Sequence, residues 1–136
     1  MKYECTNFSW RIFCHFAATM VNFYVIVVNS QTATVYRELI SCDFDQVYNT
    51  LSKFVGHNDH TVQATLANGD IVIGNAQSFL DPTILPFGFI LEEKSIVGNG
   101  VIIGPNFTRP NSRLRAVGKD ICFVSYKDPL LSQIFG

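Results

Sequence analysis

Charge is what this sequence has least of. Only 15% of its 136 residues are Asp, Glu, Lys or Arg, and the formal net charge is −1. The field of the whole chain therefore argues neither for nucleic acid nor against it. No Cys-x-x-Cys pair is present, and no His stands at zinc-finger spacing from Cys5, Cys14, Cys42 or Cys122, which excludes the common structural zinc modules. A Gly-x-Ser-x-Gly elbow and a Gly-Lys-Ser/Thr phosphate loop are both missing, so the usual sequence marks of a serine hydrolase or a P-loop enzyme are absent. Nor is there a run of about twenty clean apolar residues of the kind a membrane helix needs. Residues 12–28 come nearest, behind Lys2 and Arg11, but His15 and Asn22 interrupt them and Glu4 breaks the basic start of a signal peptide.

Apolar residues, by contrast, are plentiful. They make up 48% of the chain and include twelve Phe. That is rich for a domain of this size and points to a self-associating interface or a covered groove. The length suits one domain with a single core. The four cysteines lie far apart in apolar company and are expected to be reduced, structural thiols in a cytoplasmic protein; Cys122, in "DICFVSY", reads as a buried strand residue. Residues 1–19 read as an extension, or as the product of a start placed too early, and residues 20–136 as a single globular domain.

From Met20 the chain follows recognisable periods. "FYVIVVN" reads as a buried strand and "TATVYREL" alternates as a half-exposed one, with the polar "NSQ" between them as a hairpin turn. Phe44, Val47, Tyr48, Leu51, Phe54 and Val55 recur at helical spacing, which predicts a helix over about 43–55. Ser41 or Asp43 is placed to cap its start and Gly56 to stop it. Asn68-Gly69 lies between two alternating runs and predicts a hairpin with a type I′ turn. "FGFIL" and "ICFVSY" read as strands, Ser78–Leu80 as one helical turn, and "PLLSQIF" as a short closing helix. The sum is an α+β domain: seven or eight short strands in a curved, mainly antiparallel sheet packed on one main helix.

"SIVGNGVIIG", residues 95–104, holds a Gly-x-Gly-x-x-x-Gly pattern. A dinucleotide loop would need a helix after it, and here Pro105-Asn106 follows instead. Gly98-Asn99-Gly100 is therefore expected to be the turn of a hairpin joining "SIV" to "VII".

The succession "FYVIVVN", "TVYREL", "LSKFVG", "NGDIVIGN", "SIVGNGVIIG" resembles a family of small uncharacterised domains in phage and plasmid genomes. Those domains run from a strand to a charged-ended strand, a helix ending in Val-Gly-Gly, a short hairpin and a closing Gly-rich turn. The likeness covers residues 21–104, and His57 stands where the family has a second Gly. It implies a setting, a mobile element inside a bacterial host, rather than a reaction.

Three groups of residues bear on chemistry. His57, Asp59 and His60 in "GHNDH" are the candidate metal ligands, with a solvated loop as the simpler reading. Glu92-Glu93 are the paired acids, but neighbours along a strand face opposite ways and do not converge on a substrate. The third group is basic. Residues 1–104 hold five Lys/Arg against nine Asp/Glu, a net of −4, whereas residues 105–136 hold five against two, a net of +3. Arg109, Arg113, Arg115 and Lys119 supply most of that excess. Arginine forks bind phosphate bidentately, and Phe107, Phe123 or Tyr126 could offer a stacking face. Arg113 and Arg115 fall on one side if that stretch is extended.

These residues favour a non-enzymatic accessory protein that needs no cofactor and binds a host factor or sequesters an anionic, nucleotide-like signalling ligand, as counter-defence proteins do. A host-protein-binding module without a small ligand is the alternative, and a metal-assisted hydrolase at His57, Asp59 and His60 the outsider. The ligand site would comprise Arg109, Arg113, Arg115, Lys119 and Phe107. A homo-oligomer would help enclose the ligand; membrane and nucleic-acid partners are not expected.

Overall fold

A computed structural model describes residues 20–56, 60–75 and 86–125. Residues 1–19, Cys5 and Cys14 among them, the Ser78–Leu80 turn and the closing "PLLSQIF" helix lie outside that set. Its strands are β1 (Met20–Asn29), β2 (Thr34–Asp43), β3 (His60–Thr65), β4 (Ile71–Asn75), β5 (Phe87–Leu91), β6 (Lys94–Val97), β7 (Gly100–Ile103) and β8 (Cys122–Ser125). Among the described residues two helices, α1 (Val47–Val55) and α2 (Leu114–Asp120), join these strands in an α+β architecture.

The strands divide between two sheets rather than forming one. Five lie in the order β2-β1-β7-β4-β3 and three in the order β6-β5-β8, and every pairing is antiparallel. The side-chain period of two sorts the larger sheet's residues onto two faces. Val25, Val27, Ile40, Ile73, Val101 and Ile103 pack against Val47, Leu51 and Val55 of α1. Ile26, Val28, Val72 and Ile102 pack the other way, against Phe89, Leu91 and Ile96 of the smaller sheet and Val117 of α2. β7 is buried along its whole length because it is central and covered on both faces. That explains a continuous apolar run where a half-exposed strand would alternate.

The chain enters α1 through a single 3-10 turn, Phe44–Gln46. Neither expected cap is made: Ser41 belongs to β2, and Asp43 precedes the turn with no side-chain cap bond. Gly56 does end the helix in the left-handed region, at φ 80°. The Asn68-Gly69 hairpin is present between β3 and β4, but only Gly69 takes positive φ. Gly69 N–H donates to Leu66 O, and Leu66 N–H to Asp70 O. This is the three-residue loop with a left-handed glycine rather than a type I′ turn.

"SIVGNGVIIG" is neither a nucleotide loop nor a hairpin. β6 belongs to the smaller sheet and β7 to the larger, so Gly98-Asn99 carries the chain from one layer to the other. Gly98 supplies the positive φ, 84°, while Gly100 is a strand residue. A side chain at Gly100 would meet Phe89 Cζ at 2.8 Å, so the glycine is needed for close packing between the sheets. The crossing is fixed by polar contacts in the interior. Ser30 Oγ donates to Gly98 O at 2.6 Å, Ser30 N–H to Asn99 Oδ1 at 2.8 Å, and Asn99 Nδ2 to Phe54 O at 3.3 Å.

Candidate functional site

The basic segment begins at the end of β7. Gly104 bridges Thr108, and Asn106 and Phe107 both adopt left-handed φ, 60° and 58°. A non-glycine residue held there costs about 1–3 kcal/mol. The Phe107 ring offsets that cost by meeting Tyr48 and Phe44 edge-on, at centroid distances of 4.8 and 5.4 Å. Thr108 Oγ1 donates to Pro105 O, which closes the bend. A Cβ at Gly104 would overlap the Arg109 carbonyl oxygen, so glycine is required for the chain to fold back on itself there.

The next residues are held by a buried carboxylate. Asp70 is fully buried at the start of β4. Its Oδ1 accepts from Asn111 N–H at 2.8 Å, and its Oδ2 from Ser112 N–H at 2.7 Å and Ser112 Oγ at 2.6 Å. Asn68 adds two more bonds, from its Nδ2 to Ser112 Oγ and from Asn111 Nδ2 to its carbonyl. Hydrogen bonds to a charged acceptor are the strong ones. This clamp faces the core, so the arginine side chains on either side of it are left exposed.

Arg113 and Arg115 do not share an extended segment. Arg113 has extended backbone at the start of α2, and Arg115 lies in its first turn. The helix was not legible in "SRLRAVGKD" because it is seven residues long and contains Gly118. Both side chains nonetheless line the same groove.

That groove measures about 640 Å³ and lies between the β1–β2 ribbon and residues 109–115. Tyr24 and Arg37 line it from the ribbon, and Arg109, Pro110, Arg113 and Arg115 from the other side. Ile26 faces Arg37 across the ribbon, which puts Arg37, Leu39 and Tyr24 on the face turned toward the smaller sheet. That sheet stops short of them. Leu39 is 49% exposed and Tyr24 46%. The Arg37 guanidinium lies over the Tyr24 ring, 5.1 Å from its centroid. Four arginines thus line one groove, no carboxylate among the described residues lines it with them, and none of the four is ion-paired among those residues.

Of the five expected ligand residues, Arg109, Arg113 and Arg115 come together. Lys119 sits in the last turn of α2, outside the groove, and Phe107 packs on the α1 side of the molecule. Phe123 packs against the core between the sheets, Tyr126 lies outside the described residues, and Cys122 is exposed rather than buried. His57, Asp59 and the His60 side chain also fall outside the described residues; among those described, no group of three or more His, Cys, Asp or Glu could hold a metal ion. Among the same residues no helix is long and apolar enough to cross a membrane. Sequence reasoning missed Arg37 and Tyr24. Their one signal was a cation set in the alternation of β2, which reads as ordinary solvent exposure until the ribbon is folded over the loop.

No protein-family profile, curated protein or solved structure matches this chain.

Proposed function

We propose that this protein binds, rather than transforms, an anionic ligand carrying phosphate, and that the groove between the β1–β2 ribbon and residues 109–115 is where it binds. The observation that carries this reading is the convergence of Arg37, Arg109, Arg113 and Arg115 on one groove with no acidic residue among its described lining. Like charges gathered without partners repel one another, and an anion relieves that repulsion. Guanidinium groups match phosphate oxygens two at a time. The Asp70 clamp holds the loop in place before any ligand arrives, so little ordering cost falls on binding. The volume is that of a small-molecule site.

The setting we propose is the cytoplasm of a bacterial host, with the protein acting as a mobile-element accessory factor. There it would withhold a host signalling nucleotide from its receptor, a counter-defence role in keeping with the resemblance to phage and plasmid domains. A second reading is binding to a host protein. Met20, Tyr24 and Leu39 support it, since all three are exposed on one face of the β1–β2 ribbon.

Calorimetry with mono-, di- and cyclic nucleotides, on the wild type and on an Arg113→Ala, Arg115→Ala double variant, tests the first reading. Each charge-assisted contact is worth about 1.5–3 kcal/mol, so the double variant is expected to bind about two to four powers of ten more weakly. Its stability should change by less than about 0.5 kcal/mol, because exposed charges add little. If no member of the panel binds the wild type, or the double variant binds as well, the reading fails and the protein-binding alternative takes its place.

A further inference from the structure

We infer that the ligand carries a planar ring as well as phosphate, and that the Tyr24–Arg37 pair is the surface on which this ring stacks. The ligand class is then a free nucleotide. This inference rests on the phosphate-binding reading above and assigns the other half of the ligand.

Phosphate alone does not account for the ribbon side of the groove. Tyr24 is an exposed aromatic in a strand whose following residues, Val25 to Val28, are all buried. Its hydroxyl makes no hydrogen bond to protein among the described residues. A tyrosine that serves packing buries its ring, and one that serves through its hydroxyl finds a partner. Tyr24 does neither. What it does is meet the guanidinium of Arg37, the diagonal neighbour across the ribbon, at 5.1 Å.

With the guanidinium over one face of the ring, the pair presents a cationic plane backed by an aromatic, which suits the face of a heteroaromatic ring. It stands on the ribbon side, while Arg109, Arg113 and Arg115 stand on the other. A ring on the ribbon and phosphate on the loop and α2 would together span the groove. The aromatic expected from sequence to do this, Phe107, is spent on Tyr48 and Phe44.

The experiment compares AMP with ribose 5-phosphate, which has the same sugar phosphate and no base, by calorimetry. Stacking on an aromatic side chain predicts that the wild type binds AMP about ten- to a hundredfold more tightly than ribose 5-phosphate. Tyr24→Ala and Tyr24→Leu should each narrow that ratio to within about twofold, and Tyr24→Phe should restore it. Leucine keeps the bulk of the side chain, so loss of the ratio in both variants reports the ring and not a collapsed groove. Equal binding of the two probes by the wild type overturns the ring inference and leaves the phosphate reading standing. Failure of both probes to bind overturns the phosphate reading and this inference with it. An unchanged ratio in Tyr24→Ala places the ring elsewhere and also overturns the inference. A short oligo-deoxyadenylate that displaces AMP at a lower nucleotide concentration than AMP itself would show a strand of nucleic acid, not a free nucleotide, to be the ligand.

Discussion

The two ends of the basic loop are fastened by different physics. At its start, Gly104 to Thr108 bend tightly, and Phe107 is held in an unfavourable backbone region by ring contacts with α1. Further on, Asn111 and Ser112 are held by hydrogen bonds to one fully buried carboxylate. The first fastening is apolar and tolerant, since aromatic contacts weaken gradually when trimmed. The second is polar and closer to all-or-none, because a donor left unpaired away from water costs more than a made bond contributes. Arg109 lies between the two, and Arg113 follows immediately after the second. The precision of the arginines therefore depends on both kinds of attachment.

Substitutions can break or sharpen this contrast. Asp70→Ala should have the largest effect, about 3–5 kcal/mol by urea denaturation, because it strands two N–H groups and a hydroxyl at once. The same variant should weaken nucleotide binding even where it remains folded. A loss below about 0.5 kcal/mol would mean that the carboxylate does not fasten the loop. Gly104→Ala comes next, at about 1–3 kcal/mol, since its methyl group overlaps the Arg109 carbonyl and the bend has to open. Phe107→Ala should cost about 1–2 kcal/mol in lost ring contacts and burial, with nucleotide affinity changed less than about threefold in calorimetry. If it abolishes binding instead, the aromatic has a role in the groove that its packing against α1 does not suggest.

The smallest effect has the opposite sign. Glu92 and Glu93 turn the β5–β6 hairpin with φ of 50° and 64°. Glu92 is useful there, accepting from Ala67 N–H at 2.8 Å and lying 3.7 Å from Lys94. Exposed Glu93 has no such compensation among the described residues. Glu93→Gly should raise the thermal midpoint slightly, by up to about 1 kcal/mol in stability, since left-handed geometry costs a side-chain-bearing residue about 1–2 kcal/mol and glycine's own entropy takes part of that back. No gain would imply that left-handed strain is minor here, and that Phe107 needs little to hold it.

Sequence patterns revealed strands and helix wherever one side chain period dominated. β2 and the apolar face of α1 were legible for that reason, and β1, β5 and β8 as short runs of β-branched and aromatic residues. What was not legible depended on tertiary partners. Two sheets cannot be told from one by alternation, because Gly98-Asn99 looks the same whether the next strand pairs with the last or leaves it. Gly100 read as a turn glycine, and its actual constraint is the Phe89 ring in the opposite layer. In the candidate site, the arginines close together in sequence were visible, and Arg37 was not. It lies more than seventy residues from the loop it faces, and only the folding of the ribbon beside that loop joins them.

The position of β7 also sets the order in which the molecule can assemble. This strand is the middle member of the larger sheet, yet it is contributed by residues 100–103, after both hairpins that flank it. During synthesis the β1–β2 and β3–β4 pairs emerge first and have no partner to join them. Each has an unsatisfied edge and an apolar face until the central strand arrives. Closing chain segments of that length before any contact rewards it is slow, which places folding in the range of milliseconds to seconds rather than microseconds. A nascent chain stopped short of Gly100 should thus be held open as two separate hairpins, susceptible to association through their exposed edges.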